Sequence, residues 1–174
     1  MLKLLVCACC VSFLSSCAAP GSVPARGPGG FHPNQLAKTD VDRVAEAHQR
    51  EIFQNLRLLA EKLYRRNPRE LKKGRHPTVS AGVARIFDAP HEWKFAELDG
   101  ARGIHAIQLA FGENFAGDRV LAFVGGLGGM IQSAFHDKTE LFVWDDLDPQ
   151  ALYNAARNVE IAVWKLSNSR SSKA

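Results

Sequence analysis

Few side chains in this chain of 174 residues combine the types and spacing that chemistry needs, and the densest cluster is Asp145-Asp146-Leu147-Asp148. Clustered carboxylates can hold a hard cation or share general-acid and general-base work. Here Asp148 precedes Pro149 and an apolar helical repeat, which is the order of an N-cap followed by proline at the first helical position. Its acidic neighbours complement the positive end of a helix dipole. The spacing also lacks the glycine and the further oxygen ligands of a calcium loop. Two imidazole and carboxylate neighbours follow, His136-Asp137 and His91-Glu92. Adjacent residues rarely aim at one point, and neither pair has the second histidine of a zinc motif. No G-x-S-x-G elbow occurs, so a serine hydrolase of that type lacks its signature.

The thiols are Cys7, Cys9, Cys10 and Cys17, the first three inside an apolar run from Leu4 to Leu14 that follows Lys3. A charged start, about 11 apolar residues and a small-residue finish make the pattern of a secretory signal, too short to span a bilayer as a mature helix. Leu14-Ser15-Ser16-Cys17 resembles the lipobox of bacterial lipoproteins. The resemblance covers the first 17 residues only. It implies that residues 1–16 are removed as a signal peptide and that Cys17 becomes the acylated first residue of the mature chain, carrying diacylglycerol and palmitate-like chains. At about 0.8 kcal/mol per buried methylene, two or three chains anchor a protein that one chain would hold marginally. Ala18, where that family uses Asp for inner-membrane retention, implies the outer membrane, facing the periplasm. The alternative is a conventional signal cut after Ala18 or Ala19. With Cys17 consumed by lipid, no thiol remains for a disulfide, a cysteine metal site or a nucleophile, and no cofactor or metal is expected.

Composition adds bounds. With 46% hydrophobic and 23% charged residues, the chain has the balance of one folded domain that builds its own core. The net charge of +4 is too small to call for a nucleic-acid partner. Arg65, Arg66, Arg69, Lys72, Lys73 and Arg75 form a basic run, read as a solvated helix face or, alternatively, as a patch for anionic phospholipid or glycan.

The elements that would position these residues are mostly helical. Residues 17–38 include four prolines among four glycines between Pro20 and Pro33 and read as a tether with a root-mean-square reach of about 20 Å. The folded domain is expected over 39–166, with 167–174 as a disordered polar tail. Thr39 or Asp40 caps a first helix, ending near Arg66, whose buried face is predicted to carry Val41, Val44, Ala45, His48, Ile52, Leu56, Leu59 and Leu63. His48 is expected to pack there. Asn67-Pro68 starts a short helix that Gly74 closes; Thr78 to Phe87 and Ala101 to Phe111 favour helix. The final helix, capped at Asp148, presents Leu152, Ala155, Ala156, Val159, Ala162, Val163 and Leu166 and is expected to pack on the first. The fold class is therefore all-α, a compact array of about six helices with at most one short extended segment near 140–144.

Asp118 caps the remaining segment, Val120 to Phe135, which contains Gly125, Gly126, Gly128 and Gly129. Four glycines cost a helix about 4 kcal/mol relative to alanine, so something must compensate. Three readings stand: a buried helix that neighbours approach closely, a groove or hinge for an apolar ligand such as an acyl chain, and insertion into the membrane, for which 16 residues fall short of the roughly 20 needed. A phosphate loop is excluded because no Gly-Lys-Ser/Thr follows. The functional expectation is a non-catalytic lipoprotein that binds an envelope protein partner. The alternatives are a lipid-binding module using 120–135, and a cell-wall or lipid hydrolase acting through Asp145, Asp146 or His136.

Overall fold

The computed structural model describes residues 38–168; Cys17, the signal segment, the rest of the tether and residues 169–174 lie outside them. Six α-helices and one 3-10 turn (Ala96–Leu98) follow in order: α1 Asp40–Arg66, α2 Pro68–Lys73, α3 Val79–Phe87, α4 Ile104–Phe111, α5 Arg119–Ala134 and α6 Pro149–Asn168. The all-α expectation holds, and no strand occurs among the described residues.

Local chemistry sets the helix starts. Thr39 Oγ1 accepts the Asp42 N–H at 3.1 Å while the Asp42 carboxylate accepts the Thr39 N–H at 2.7 Å, a reciprocal capping box. Thr78 caps α3, and Asp118 caps α5 by accepting from Val120 and Leu121. Asn67 differs from expectation. Its side chain makes no cap bond to α2 and donates instead to the Leu63 carbonyl, satisfying the end of α1.

Helix α5 is the centre of the domain, with every residue from Val120 to Gln132 buried and α1, α3, α4 and α6 packed on it. Asp118 is buried with it and accepts the Tyr64 hydroxyl at 2.7 Å. Burial pushes the Asp118 carboxyl above the usual carboxylate range, against the opposing pull of the Tyr64 hydroxyl and the two cap N–H groups. The Tyr64 phenol is raised by the same desolvation and by the Asp118 charge.

Two expectations about faces are corrected. In the first half of α1, Val41, Val44, His48 and Ile52 are exposed, and the buried positions are Asp42, Glu46 and Gln49; only further along do Leu56, Ala60, Leu63 and Tyr64 enter the core. The reason is the neighbour: this half faces the 136–142 segment, whose backbone needs polar partners. Glu46 accepts the Leu141 N–H at 2.6 Å, and Gln49 and Gln132 both donate to the Lys138 carbonyl. Second, α6 packs principally on α5 rather than on α1, since its only buried residues are Ala155 and Ala162, small side chains that allow a close helix approach. Ala156 and Val163 of the expected stripe are exposed. Residues 140–144 form a turn-containing loop, within the expectation of at most one short extended segment there. At the margins, Lys38, placed in the tether from sequence, pairs with Glu46 at 2.6 Å, and α6 continues through Ser167 and Asn168.

Candidate functional site

The residues singled out from sequence are mostly engaged in holding the fold. Asp148 accepts the Gln150 N–H at 2.8 Å, as a cap should. Asp145 accepts the Phe142 N–H at 3.0 Å and pairs with Lys138, which holds its carboxyl below the usual range. Asp146 is exposed. His91 accepts the Trp93 N–H at Nδ1, so its Nε2–H is the donor to the Ile86 carbonyl at 2.7 Å. His136 lies on the same loop as Asp137 and Asp145 and adds a minor lowering of both carboxyl pKa values. Among the described residues, no group of three or more His, Cys, Asp or Glu side chains is placed to hold a metal ion.

The glycines of α5 are sockets. A Cβ at Gly125 would meet the Phe95 ring at 2.7 Å, and one at Gly126 would meet the Gly103 carbonyl and the Ile107 nitrogen of α4, both at 2.8 Å. At Gly128 it would overlap the indole of Trp93, with Cε3 and Cη2 at 2.5 Å, and at Gly129 it would meet Arg102 Cγ at 2.8 Å. Dense packing of rings and backbone against the bare helix supplies the compensation that four glycines require.

Two of those guests, Trp93 and Arg102, build a cleft of about 770 Å³ between α1, the 87–94 segment and the 136–139 turn. Its floor is aromatic. Trp93 stacks on Phe53 with ring centroids 5.3 Å apart and meets Phe87 edge-on at 5.8 Å. Its rim is cationic. Arg57 holds Asp88 in a two-bond fork at 2.7 and 2.8 Å and lies over the Phe87 ring, while Arg102 reaches across to Asp137. Each pairing holds its carboxyl below the usual range, chiefly through the arginine hydrogen bond. Arg50, Lys94, Gln49 and Gln132 complete the polar lining. Arg102 Nε is buried without a hydrogen-bond partner, the one such side-chain atom among the described residues.

Backbone strain converges on the same place. Glu92 and Trp93 on one side, and His136 and Asp137 on the other, are consecutive non-glycine residues at positive φ, between 49° and 60°. Left-handed conformations cost L-residues about 1 kcal/mol each or more and persist where the surroundings impose them. Here Trp93 sits in the Gly128 socket and Asp137 is bound by Arg102. Trp93, Arg102, Phe53 and Phe87 were not recognisable as a site from sequence, because they come from α1, α3 and two loops and meet only in the folded state.

No protein-family model, no curated protein and no solved structure matches the chain.

Proposed function

We propose that this chain is a bacterial envelope lipoprotein, anchored in the outer membrane by lipid on Cys17, whose helical domain is a non-catalytic module that captures a protein partner in the periplasm. The observation that carries the binding role is the cleft: an aromatic floor with a paired arginine rim, fixed by two strained dipeptides. Aromatic and arginine side chains are the types that dominate protein-recognition energetics, since both bring large contact areas with fixed geometry. The anchor rests on the lipobox resemblance and on the spacing of the apolar leader.

Site-specific photocrosslinking in the producing cell tests the role. Benzoylphenylalanine at Gln54, on the cleft rim, is expected to give one discrete crosslinked envelope protein, lost on Arg102→Ala; the same probe at exposed Lys72 on α2 gives none. A Gln54 probe that captures nothing, together with turnover of a wall or lipid substrate by the purified protein, would overturn the reading.

A further inference from the structure

Helix α6 packs on the domain through one side, where Ala155 and Ala162 are buried, and leaves its other side open. On that open side Tyr153, Arg157, Glu160 and Trp164 follow at steps of four, three and four residues, the spacing of a coiled-coil seam, and fall within about 60° of one another around the helix axis. Tyr153 and Trp164 are each 65% exposed, and Ile161 and Val163, one on either flank of the seam, are each 48% exposed. Between the two aromatic rings, Arg157 Nη1 pairs with Glu160 Oε2 at 2.6 Å. A helix side that meets only water carries polar residues, so this one is unusually apolar. The lining of the aromatic cleft contains no α6 residue, and the two surfaces are separate.

We infer that the open side of α6 binds the same side of a second copy of this chain, the two helices running antiparallel about a two-fold axis. The seam is complementary to itself in that arrangement. The midpoint between Tyr153 and Trp164 in the sequence is also the midpoint between Arg157 and Glu160, and between Ala156 and Ile161. One two-fold axis at that point therefore sets each Tyr153 against Trp164 of the second copy, each Arg157 against its Glu160, and each small Ala156 against its larger Ile161. The two ion pairs close into a ring of alternating charge at the centre, with an aromatic pair at either end. A parallel arrangement would instead set Arg157 on Arg157 and Glu160 on Glu160, so the charges select the antiparallel one. Size fits a reversible pair. Two tyrosines and two tryptophans, at about 150–250 Å² of side chain each and 65% exposed, supply about 400–650 Å². Ile161, Val163 and the stems of the charged residues bring the contact towards the roughly 1,000 Å² of a specific interface. The inference draws on neither the cleft nor the lipid on Cys17.

Photocrosslinking of the full chain in the producing cell reads the pairing. Benzoylphenylalanine in place of Tyr153 is expected to give a product of twice the chain mass in which the tryptic peptide 139–157 of one copy is joined to peptide 158–165 of the other. Attachment between the two 139–157 peptides is the parallel arrangement and overturns the inference, as does capture of a different protein or of nothing. Charge reversal separates pairing from folding. Arg157→Glu and Glu160→Arg each set like charges across the axis and are expected to lower the crosslinked fraction about tenfold or more. Both side chains are exposed, so Tm should move by no more than about 4 °C. The two variants made together, with different tags, restore opposite charges across the axis, and their mixed dimer is expected to return to the wild-type level. A mixture that stays as low as either variant alone, or a single reversal that leaves the crosslink unchanged, overturns the antiparallel contact.

Discussion

Replacing Gly128 by alanine tests whether the glycine helix is a socket for the cleft. Taken as a helix position alone, Gly128→Ala should stabilise the protein by about 1 kcal/mol, because glycine is the poorest non-proline residue in a helix interior. The structure reverses the sign. The new Cβ would sit 2.5 Å from Trp93 Cε3 and Cη2, and the ring has no free direction, being stacked on Phe53 and edge-on to Phe87 and His91. Overpacking of this kind costs about 1–3 kcal/mol, and loss of the aromatic geometry adds about 0.5–1.5 kcal/mol. Set against the propensity gain, the net effect is a loss of about 0.5–3.5 kcal/mol, which lowers Tm by about 2–14 °C for a domain of this size. Thermal unfolding followed by circular dichroism measures it. The paired variant Trp93→Ala identifies the cause: in that background Gly128→Ala should become neutral or stabilising. A single Gly128→Ala variant that melts at or above the wild-type temperature would refute the socket and the positioning of Trp93 derived from it.

Further outcomes follow from the buried polar contacts. Tyr64→Phe removes the 2.7 Å bond to buried Asp118 and should cost about 1.5–3 kcal/mol in urea unfolding, as expected for a hydrogen bond to a charged group; no loss would show that the carboxylate does not depend on the phenol. The folded pKa of Asp118 is raised, so its protonation favours the fold below the ordinary carboxylate value, and that benefit is lost as pH rises through the folded pKa. Asp118→Asn keeps an acceptor for the cap, so its stability relative to wild type should improve as pH rises from about 4 through the folded pKa; a difference that is flat with pH contradicts the assignment. Glu46→Ala strips the buried Leu141 N–H of its partner, which should cost about 1–3 kcal/mol and speed proteolysis within 138–146. An unchanged cleavage rate would mean that the loop is held by other contacts.

What was legible in the sequence is what depends on neighbours in the chain. The caps at Thr39, Asp118 and Asp148 are bonds to N–H groups two or three residues away, so residue type and position suffice to find them. The face of α1 was misread because its apolar periodicity is genuine but the partner of its first half is backbone. Glu46 and Gln49 turn inward to serve Leu141 and Lys138, 95 and 89 residues away, and displace Val41, His48 and Ile52 outward. The glycines announced that something must compensate for them but not what. The compensating rings of Trp93 and Phe95 come from a loop whose path depends on two left-handed residues, for which glycine is the usual signal and here is absent. The cleft was hidden for the same reason, since Phe53 and Trp93 are 40 residues apart in number and touch only once α1, α3 and that loop have packed on α5.

Lipid on Cys17, as proposed, would assign the molecule to the cell envelope. Mass spectrometry of the amino-terminal peptide of the native protein tests it most directly. The expected result is a chain beginning at Cys17 with the added mass of a diacylglyceryl group and an amide-linked acyl chain. A chain beginning at Met1, or an unmodified Cys17, would contradict it.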